Sequence, residues 1–236
     1  MTAKEIMAEL KPLGGEGYKR ILMRNYGVKE PCFGVKIADL KKFQKRIKTN
    51  YQLALDLYDT GNYDAMYLAG LIADDKRMTQ KDLQHWVEKA HGGALAGSTV
   101  AWVAAGSPHA WDIATKWIDS PSSHIAGAGW STLSCFVALT DDGKLDVRAL
   151  KALLERVRKT IQKAPETVRY TMNGFVISVG GYVKSLTDFA IETGERIGRF
   201  EAHIGENQCQ TPFSPDYIRK MQERGSIGKK RKTVKC

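Results

Sequence analysis

Apolar residues recur at helical spacing along nearly the whole chain. Val35, Ile37, Leu40, Phe43 and Ile47, for example, follow one another at intervals of two to four residues. A repeat near 3.6 residues places such positions on one face of an α-helix. The strict alternation of apolar and polar residues that marks a half-buried strand is nearly absent. The pattern therefore predicts an all-α protein.

Breaks in this pattern separate short helical segments, and two of the breaks carry clear start signals. Thr2 and Thr79 each precede an acidic residue by three positions, which is the sequence of a capping box. The helices predicted from the pattern are 2–12, 15–26, 34–48, 51–60, 62–74, 80–91, 94–105, 108–119, 122–140, 146–163, 166–183 and 185–197, with a short one near 215–224.

Short links between successive helices favour antiparallel neighbours, and a long series of such pairs forms an α-solenoid. We therefore expect a superhelical stack of HEAT-like antiparallel helix pairs over residues 1–200. An irregular helical bundle is the alternative, because no strict sequence repeat is visible. Residues 201–236 are expected to form a C-terminal extension with one short helix and a mobile basic tail, since the tail lacks apolar periodicity.

Charge narrows the class of partner. The chain has 36 Lys and Arg residues against 26 Asp and Glu residues, a formal charge of +10, which favours a polyanion such as nucleic acid. Its four cysteines form no CxxC pair, and neither HExxH, GxGxxG nor a P-loop is present, so no metal and no nucleotide or other cofactor is expected. Without a signal peptide or a long apolar stretch, we expect a cytoplasmic monomer with no membrane contact.

Several sequence stretches carry a family resemblance. The chain reads YGVKEP from Tyr26, VKIADLKK from Val35, LYD from Leu57 and YDAMYLA from Tyr63, and later NGFV from Asn173. This order resembles the AlkD-type DNA alkylation repair family over roughly residues 20 to 195. The resemblance implies a HEAT-like stack that grips double-stranded DNA, damaged or distorted, by its backbone. It also implies, for active members, an N-glycosylase that excises positively charged alkylated purines.

The catalytic residues of that family have no clear counterparts in this chain. The family's Trp, followed four residues later by Asp, falls at residues 89–96, where neither residue occurs. Its Arg falls near Gly127 and its second Trp near Phe175. A carboxylate stabilises the oxocarbenium character of glycosidic cleavage, and the carboxylates available in the central region are Asp64, Asp112 and Asp119. Of these, Asp112 and Asp64 are the catalytic candidates. The alternative for Asp112 is a solvated acid that complements the helix dipole.

Two groups of residues are candidates for DNA contact. The first lies beside glycines in two helices and is expected to line one concave, positively biased surface: Trp130, Arg169, Tyr170, Asn173 and Phe175. Ordinary core positions are the alternative for Trp130 and Phe175. The second group comprises the tail cations Lys229, Lys230, Arg231 and Lys232.

Three functions follow from these patterns. The first is DNA binding in alkylation repair, including N-glycosylase activity. The second is non-catalytic binding of damaged or branched DNA, which the missing Trp and carboxylate favour. The third is a protein-interaction scaffold, a common use of HEAT-like stacks, which the basic charge disfavours.

Overall fold

The computed structural model describes residues 1–202 and 210–235, and within these ranges all regular structure is helical. The all-α prediction is confirmed. The α-helices are α1 (Ala3–Leu10), α2 (Glu16–Tyr26), α3 (Ile37–Ile47), α4 (Tyr51–Tyr58), α5 (Tyr63–Ile72), α6 (Gln80–Lys89), α7 (Gly92–Leu95), α8 (Ala101–Gly106), α9 (Ala110–Trp117), α10 (Ser123–Leu139), α11 (Val147–Thr160), α12 (Glu166–Tyr182), α13 (Thr187–Ile197) and α14 (Ser214–Glu223).

The described chain divides into two compact units. Unit 1 comprises residues 1–109 together with Lys235, and unit 2 comprises 110–202 and 210–234. The described part of the predicted C-terminal extension, residues 210–234, belongs to unit 2, where α14 packs against α12 and α13. Ile218 of α14 is fully buried, and a Cβ built on Gly180 of α12 would lie only 2.4 Å from its Cδ1. The glycine thus lets α14 seat closely on α12.

Both predicted capping boxes of unit 1 are confirmed. Thr2 accepts from the Glu5 N–H while the Glu5 carboxylate accepts from the Thr2 N–H, and Thr79 and Asp82 form the same reciprocal pair. Between these ends the core is apolar and aromatic. Tyr58 stacks on Trp86 at 4.1 Å between ring centroids.

The helix predicted over 94–105 is interrupted. Helix α7 passes into a π-helical segment, Ala96–Val100, before α8 begins. Gly70 of α5 faces this segment, since a Cβ on Gly70 would lie 2.2 Å from the Thr99 Cγ2. A π-turn inserts one extra residue and turns the side chains after it to a new direction. Trp102 lies two residues beyond the segment.

Unit 2 is built on the long helices α10 and α12, which pack against each other along their length. Trp130 of α10 and Phe175 of α12 meet in its core with ring centroids 5.3 Å apart. Gly129 lets the end of α9 approach, because a Cβ there would lie 2.7 Å from the backbone nitrogen of Ile118. Gly129 and Gly180 therefore serve close helix packing.

Candidate nucleic-acid interface

Three residues expected on a concave surface lie in the core of unit 2. Trp130 is 1% exposed, Phe175 0% and Asn173 2%. The Asn173 side-chain amide is satisfied by donating to the Pro212 carbonyl at 2.7 Å. The expectation that these three side chains face DNA is therefore wrong. Both long helices are apolar on most sides, and Gly129 and Gly180 let neighbouring segments pack over faces that were expected to be open.

Arg169 and Tyr170 remain at the surface of α12. Tyr170 is 37% exposed, and the Arg169 guanidinium lies 5.7 Å from the centroid of the Phe200 ring. The Arg169 Nε is buried and finds no hydrogen-bond partner among the residues that the structure describes. Contact between this pair and DNA stays a prediction.

The Asp64 carboxylate is enclosed at the start of α5. Its Oδ2 accepts from the backbone N–H of Phe33 at 2.6 Å and of Gly34 at 3.2 Å, and its Oδ1 accepts from Val35 N–H at 2.7 Å. With 0% exposure, it fixes the loop before α3 and cannot reach a sugar. Asp64 is therefore not a catalytic carboxylate in this arrangement.

The same enclosure keeps a neighbouring thiol neutral. Burial first, and then the charge of Asp64, raise the pKa of Cys32 to about 12. This shift disfavours the thiolate, which is the reactive form of cysteine.

Asp112 is exposed in the first turn of α9. That position agrees with an acid that complements the positive end of the helix dipole. The residues that stand at the family's Trp and Asp positions lie in α7 and around it, and residues 89–106 contain no acid. The position of the family's Arg falls near Gly127, which is buried.

The basic tail is ordered, contrary to the expectation of a mobile arm. Gly228 N–H donates to the Gly181 carbonyl at 2.9 Å, and Arg231 N–H donates to the Ala138 carbonyl at 2.8 Å. Both acceptors lie near the carboxyl ends of long helices, where backbone carbonyls lack helical partners. The tail follows these ends because it supplies the missing donors.

Lys230 anchors the tail to unit 2. Its Nζ donates to the carbonyls of Val137 at 2.9 Å and Tyr182 at 2.7 Å, and it pairs with Asp142 at 2.7 Å. The side chain is only 15% exposed. Lys230 thus neutralises the negative ends of α10 and α12 and is not a free phosphate ligand. Its predicted direct role in DNA contact is wrong.

The neighbours of Lys230 point into solvent. Lys229, Arg231 and Lys232 are exposed, and within the described ranges no acid pairs with them. The exposed Lys184 stands next to the tail, since a Cβ on Gly228 would lie 3.6 Å from the Lys184 Cβ. We call these four cations the C-terminal basic surface. They form a fixed cluster of positive charge on unit 2.

Two further properties concern other kinds of site. Among residues 1–202 and 210–235, no cluster of three or more His, Cys, Asp or Glu side chains is arranged to hold a metal ion. Across the same residues, no helix combines the length and the apolar character that a bilayer crossing requires.

Comparison with known proteins identifies relatives along the whole chain. The family model described as "DNA alkylation repair enzyme" matches residues 6–199. The uncharacterized protein Lin0241 of Listeria innocua is 29% identical over 229 residues, which are 95% of this chain and 99% of the relative. The uncharacterized protein Lmo0209 of Listeria monocytogenes is 27% identical with the same coverage.

A solved structure extends the comparison to the fold. It is described as "a new family of proteins related to the HEAT-like repeat DNA glycosylases with affinity for branched DNA structures". It is 36% identical to this chain, covers 100% of both chains and superposes with a TM-score of 0.91. The predicted fold class, a stack of HEAT-like helix pairs, is confirmed by this match.

Proposed function

This chain belongs to the DNA alkylation repair enzyme family, and on that premise we propose that it binds branched DNA through the sugar-phosphate backbone without excising a base. The similar solved structure is described as having affinity for branched DNA, and it matches this chain over its full length. We propose that it acts as a cytoplasmic monomer, as the sequence predicts.

The C-terminal basic surface is the observation that carries this proposal. Three of its cations, Lys229, Arg231 and Lys232, flank Lys230, which holds the tail to the ends of α10 and α12. Ordered cations lose less conformational entropy on binding than those of a flexible arm. A branch point brings phosphates of three or four strands together, so a fixed cluster gains more contacts there than on a single duplex.

The carboxylates argue against base excision. Glycosidic cleavage needs a carboxylate that reaches the sugar, yet Asp64 is enclosed by three backbone donors. Asp112 stands exposed on α9, and residues 89–106 contain no acid. In the proposed function, the protein therefore binds DNA without cleaving a glycosidic bond.

The test compares a four-way junction with a linear duplex of the same sequence. We expect the junction to bind at least about tenfold more tightly at about 100 mM salt, where non-specific duplex contacts weaken. Equal affinities, or no binding, would contradict the proposal.

A second experiment tests for base excision. A duplex that contains 7-methylguanine is incubated with the protein, and we expect no base to be released above the protein-free control. Release of the base would show that the protein is a glycosylase and would contradict the proposal of binding without excision.

A matched pair of triple variants locates the contact. Lys229, Arg231 and Lys232 are changed to Ala together, and junction affinity should fall by tenfold or more with an unchanged melting temperature. The control changes Arg148, Lys159 and Lys163 to Ala; these are also one Arg and two Lys residues, all exposed, on or directly after α11. Equal losses of junction affinity in both variants would show that the net charge of the protein, and not the position of these three cations, determines binding.

A further inference from the structure

Unit 1 carries a group of aromatic side chains that is separate from the residues of the C-terminal basic surface. Tyr63 and Tyr67 of α5 have ring centroids 6.4 Å apart, and the Tyr67 ring meets the Trp102 ring edge to face at 5.5 Å. Tyr18 of α2 packs with Tyr63 on one small apolar cluster. Tyr26 ends α2. We call these five residues the aromatic row: Tyr18, Tyr26, Tyr63, Tyr67 and Trp102.

Exposure changes along the row. Tyr67 is only 5% exposed and contacts both Tyr63 and Trp102, whereas Tyr18, Tyr63 and Trp102 are partly exposed and Tyr26 is 48% exposed. Burial raises the pKa of both Tyr18 and Tyr63, so these phenols stay neutral near physiological pH. The row therefore presents uncharged ring surface to solvent on a rigid base.

Small residues lie next to the row. Ala94 of α7 packs on the same apolar cluster as Tyr18 and Tyr63. A Cβ on Gly92 would lie 3.8 Å from the Gly27 carbonyl oxygen, so α7 begins close to the end of α2. Trp102 lies two residues after the π-helical segment that follows α7, and such segments occur frequently at functional sites.

The charges on α2 suit a nucleic acid. Arg20 and Arg24 are exposed on the helix that carries Tyr18 and Tyr26. Three acids lie on or near this helix: Glu16 and Glu30 both pair with Lys19, and Asp64 is enclosed by backbone donors. Aromatic rings beside guanidinium groups are the combination that holds unpaired bases, with stacking on the ring and the cation beside the backbone.

We propose that the aromatic row stacks on an unpaired base at the branch point of bound DNA. This inference rests on the proposed function and names the part of the branch that unit 1 recognises. Stacking tolerates any base, because every base presents a π face. The row thus gives preference for open branch points without sequence preference.

The experiment measures affinity for two three-way junctions, one fully paired and one with two unpaired bases at the branch. Tyr26→Ala and Trp102→Leu should each weaken binding to the unpaired junction about fivefold or more and reduce its advantage over the paired one. The dependence of binding on salt should stay the same, because no cation is removed. The matched control is Tyr217→Ala, since Tyr217 of unit 2 is 49% exposed and carries a Lys220 ammonium 5.6 Å from its ring centroid.

A fluorescent base gives an independent readout. With 2-aminopurine at one unpaired position, the unchanged protein should quench its emission on binding, and Trp102→Leu should remove most of that quenching. Trp111→Phe is the control, because Trp111 packs on Phe136 within unit 2.

The outcomes separate the two proposals. If the unchanged protein binds no branched DNA, the proposed function fails. If it binds, and both row variants keep full affinity and junction preference at an unchanged melting temperature, the row is structural and this inference fails. Should Trp102→Leu lose stability, Tyr26→Ala decides alone, because Tyr26 is exposed at the end of α2.

Discussion

Lys229 and Lys230 are neighbours in sequence, but Lys229 is exposed whereas the Lys230 side chain is largely buried. We expect Lys230→Met to lower the free energy of unfolding by about 1.5–3 kcal/mol, since the substitution removes hydrogen bonds made by a charged group to two helix-end carbonyls. Lys229→Ala should leave stability unchanged and weaken junction binding, because Lys229 is exposed. Urea unfolding and a binding titration on both variants measure the contrast. Unchanged stability in Lys230→Met would show that the tail is not anchored by this residue.

The environment of Asp82 predicts that its carboxylate contributes to the free energy of unfolding in a pH-dependent way. Burial raises its pKa, but hydrogen bonds from Thr79 and Tyr51 outweigh burial and leave the pKa below the ordinary value. A depressed folded-state pKa stabilises the protein above the unfolded-state pKa of about 3.9, and this stability is lost as pH falls through the folded value.

We therefore expect Asp82→Ala to cost about 1 kcal/mol at pH 7 and progressively less as the pH drops below about 4. Thermal unfolding at several pH values checks this. Asp112→Ala, in the first turn of α9, is the control and should stay within about 0.5 kcal/mol at every pH. A loss at pH 7 that persists undiminished in acid would assign the effect to packing.

The sequence predicted the role of a residue correctly where its hydrogen-bond partners lie close to it in the chain. The capping boxes at Thr2 and Thr79 are visible because their partners lie three residues away. The enclosure of Asp64 leaves no such signal, since its donors lie 29 to 31 residues earlier in an irregular loop. A carboxylate that caps a distant loop and one that faces a substrate look the same in a sequence.

At the scale of helices, spacing predicted existence and order well and failed for orientation. Helices α10 and α12 are apolar on most sides, so their sequence could not show which side faces solvent, and Trp130 and Phe175 were placed on the wrong one. The π-helical segment at 96–100 was also missed, because a shift in the hydrogen-bond pattern leaves no apolar periodicity of its own.

Two glycines in these helices should respond to the same substitution with opposite signs. A Cβ on Gly174 meets no atom within 4 Å, so Gly174→Ala should stabilise the protein by about 0.5–1 kcal/mol through helix propensity. A Cβ on Gly129 would lie 2.7 Å from the Ile118 nitrogen and 2.9 Å from the Ala114 carbonyl oxygen. Gly129→Ala should therefore destabilise by about 1–3 kcal/mol. Chemical denaturation distinguishes the two, and equal effects would contradict the packing role of Gly129.

For the whole molecule, the formal charge of +10 by itself indicates a polyanionic partner. Composition could not show which cations are available for binding. Lys230 reaches carbonyls 93 and 48 residues away in sequence, and within unit 1 Lys235 pairs with Asp75 at 2.7 Å and donates to the Ala73 carbonyl. Pairing between residues so distant in sequence turned an expected mobile arm into an ordered segment with fewer free charges.

The availability of these cations predicts the salt dependence of binding. Each phosphate neutralised on duplex DNA contributes a slope of about −0.9 to log K against log salt concentration. Five tail cations would contribute about −4.5, but with Lys230 and Lys235 engaged in the fold, Lys229, Arg231 and Lys232 contribute only about −2.7. Changing these three residues to Ala should flatten the measured slope by about that amount between 50 and 200 mM salt. The triple variant of Arg148, Lys159 and Lys163 should keep the slope of the unchanged protein. A slope that neither variant alters would place the phosphate contacts outside the C-terminal basic surface, and binding without any salt dependence would favour a protein-interaction scaffold.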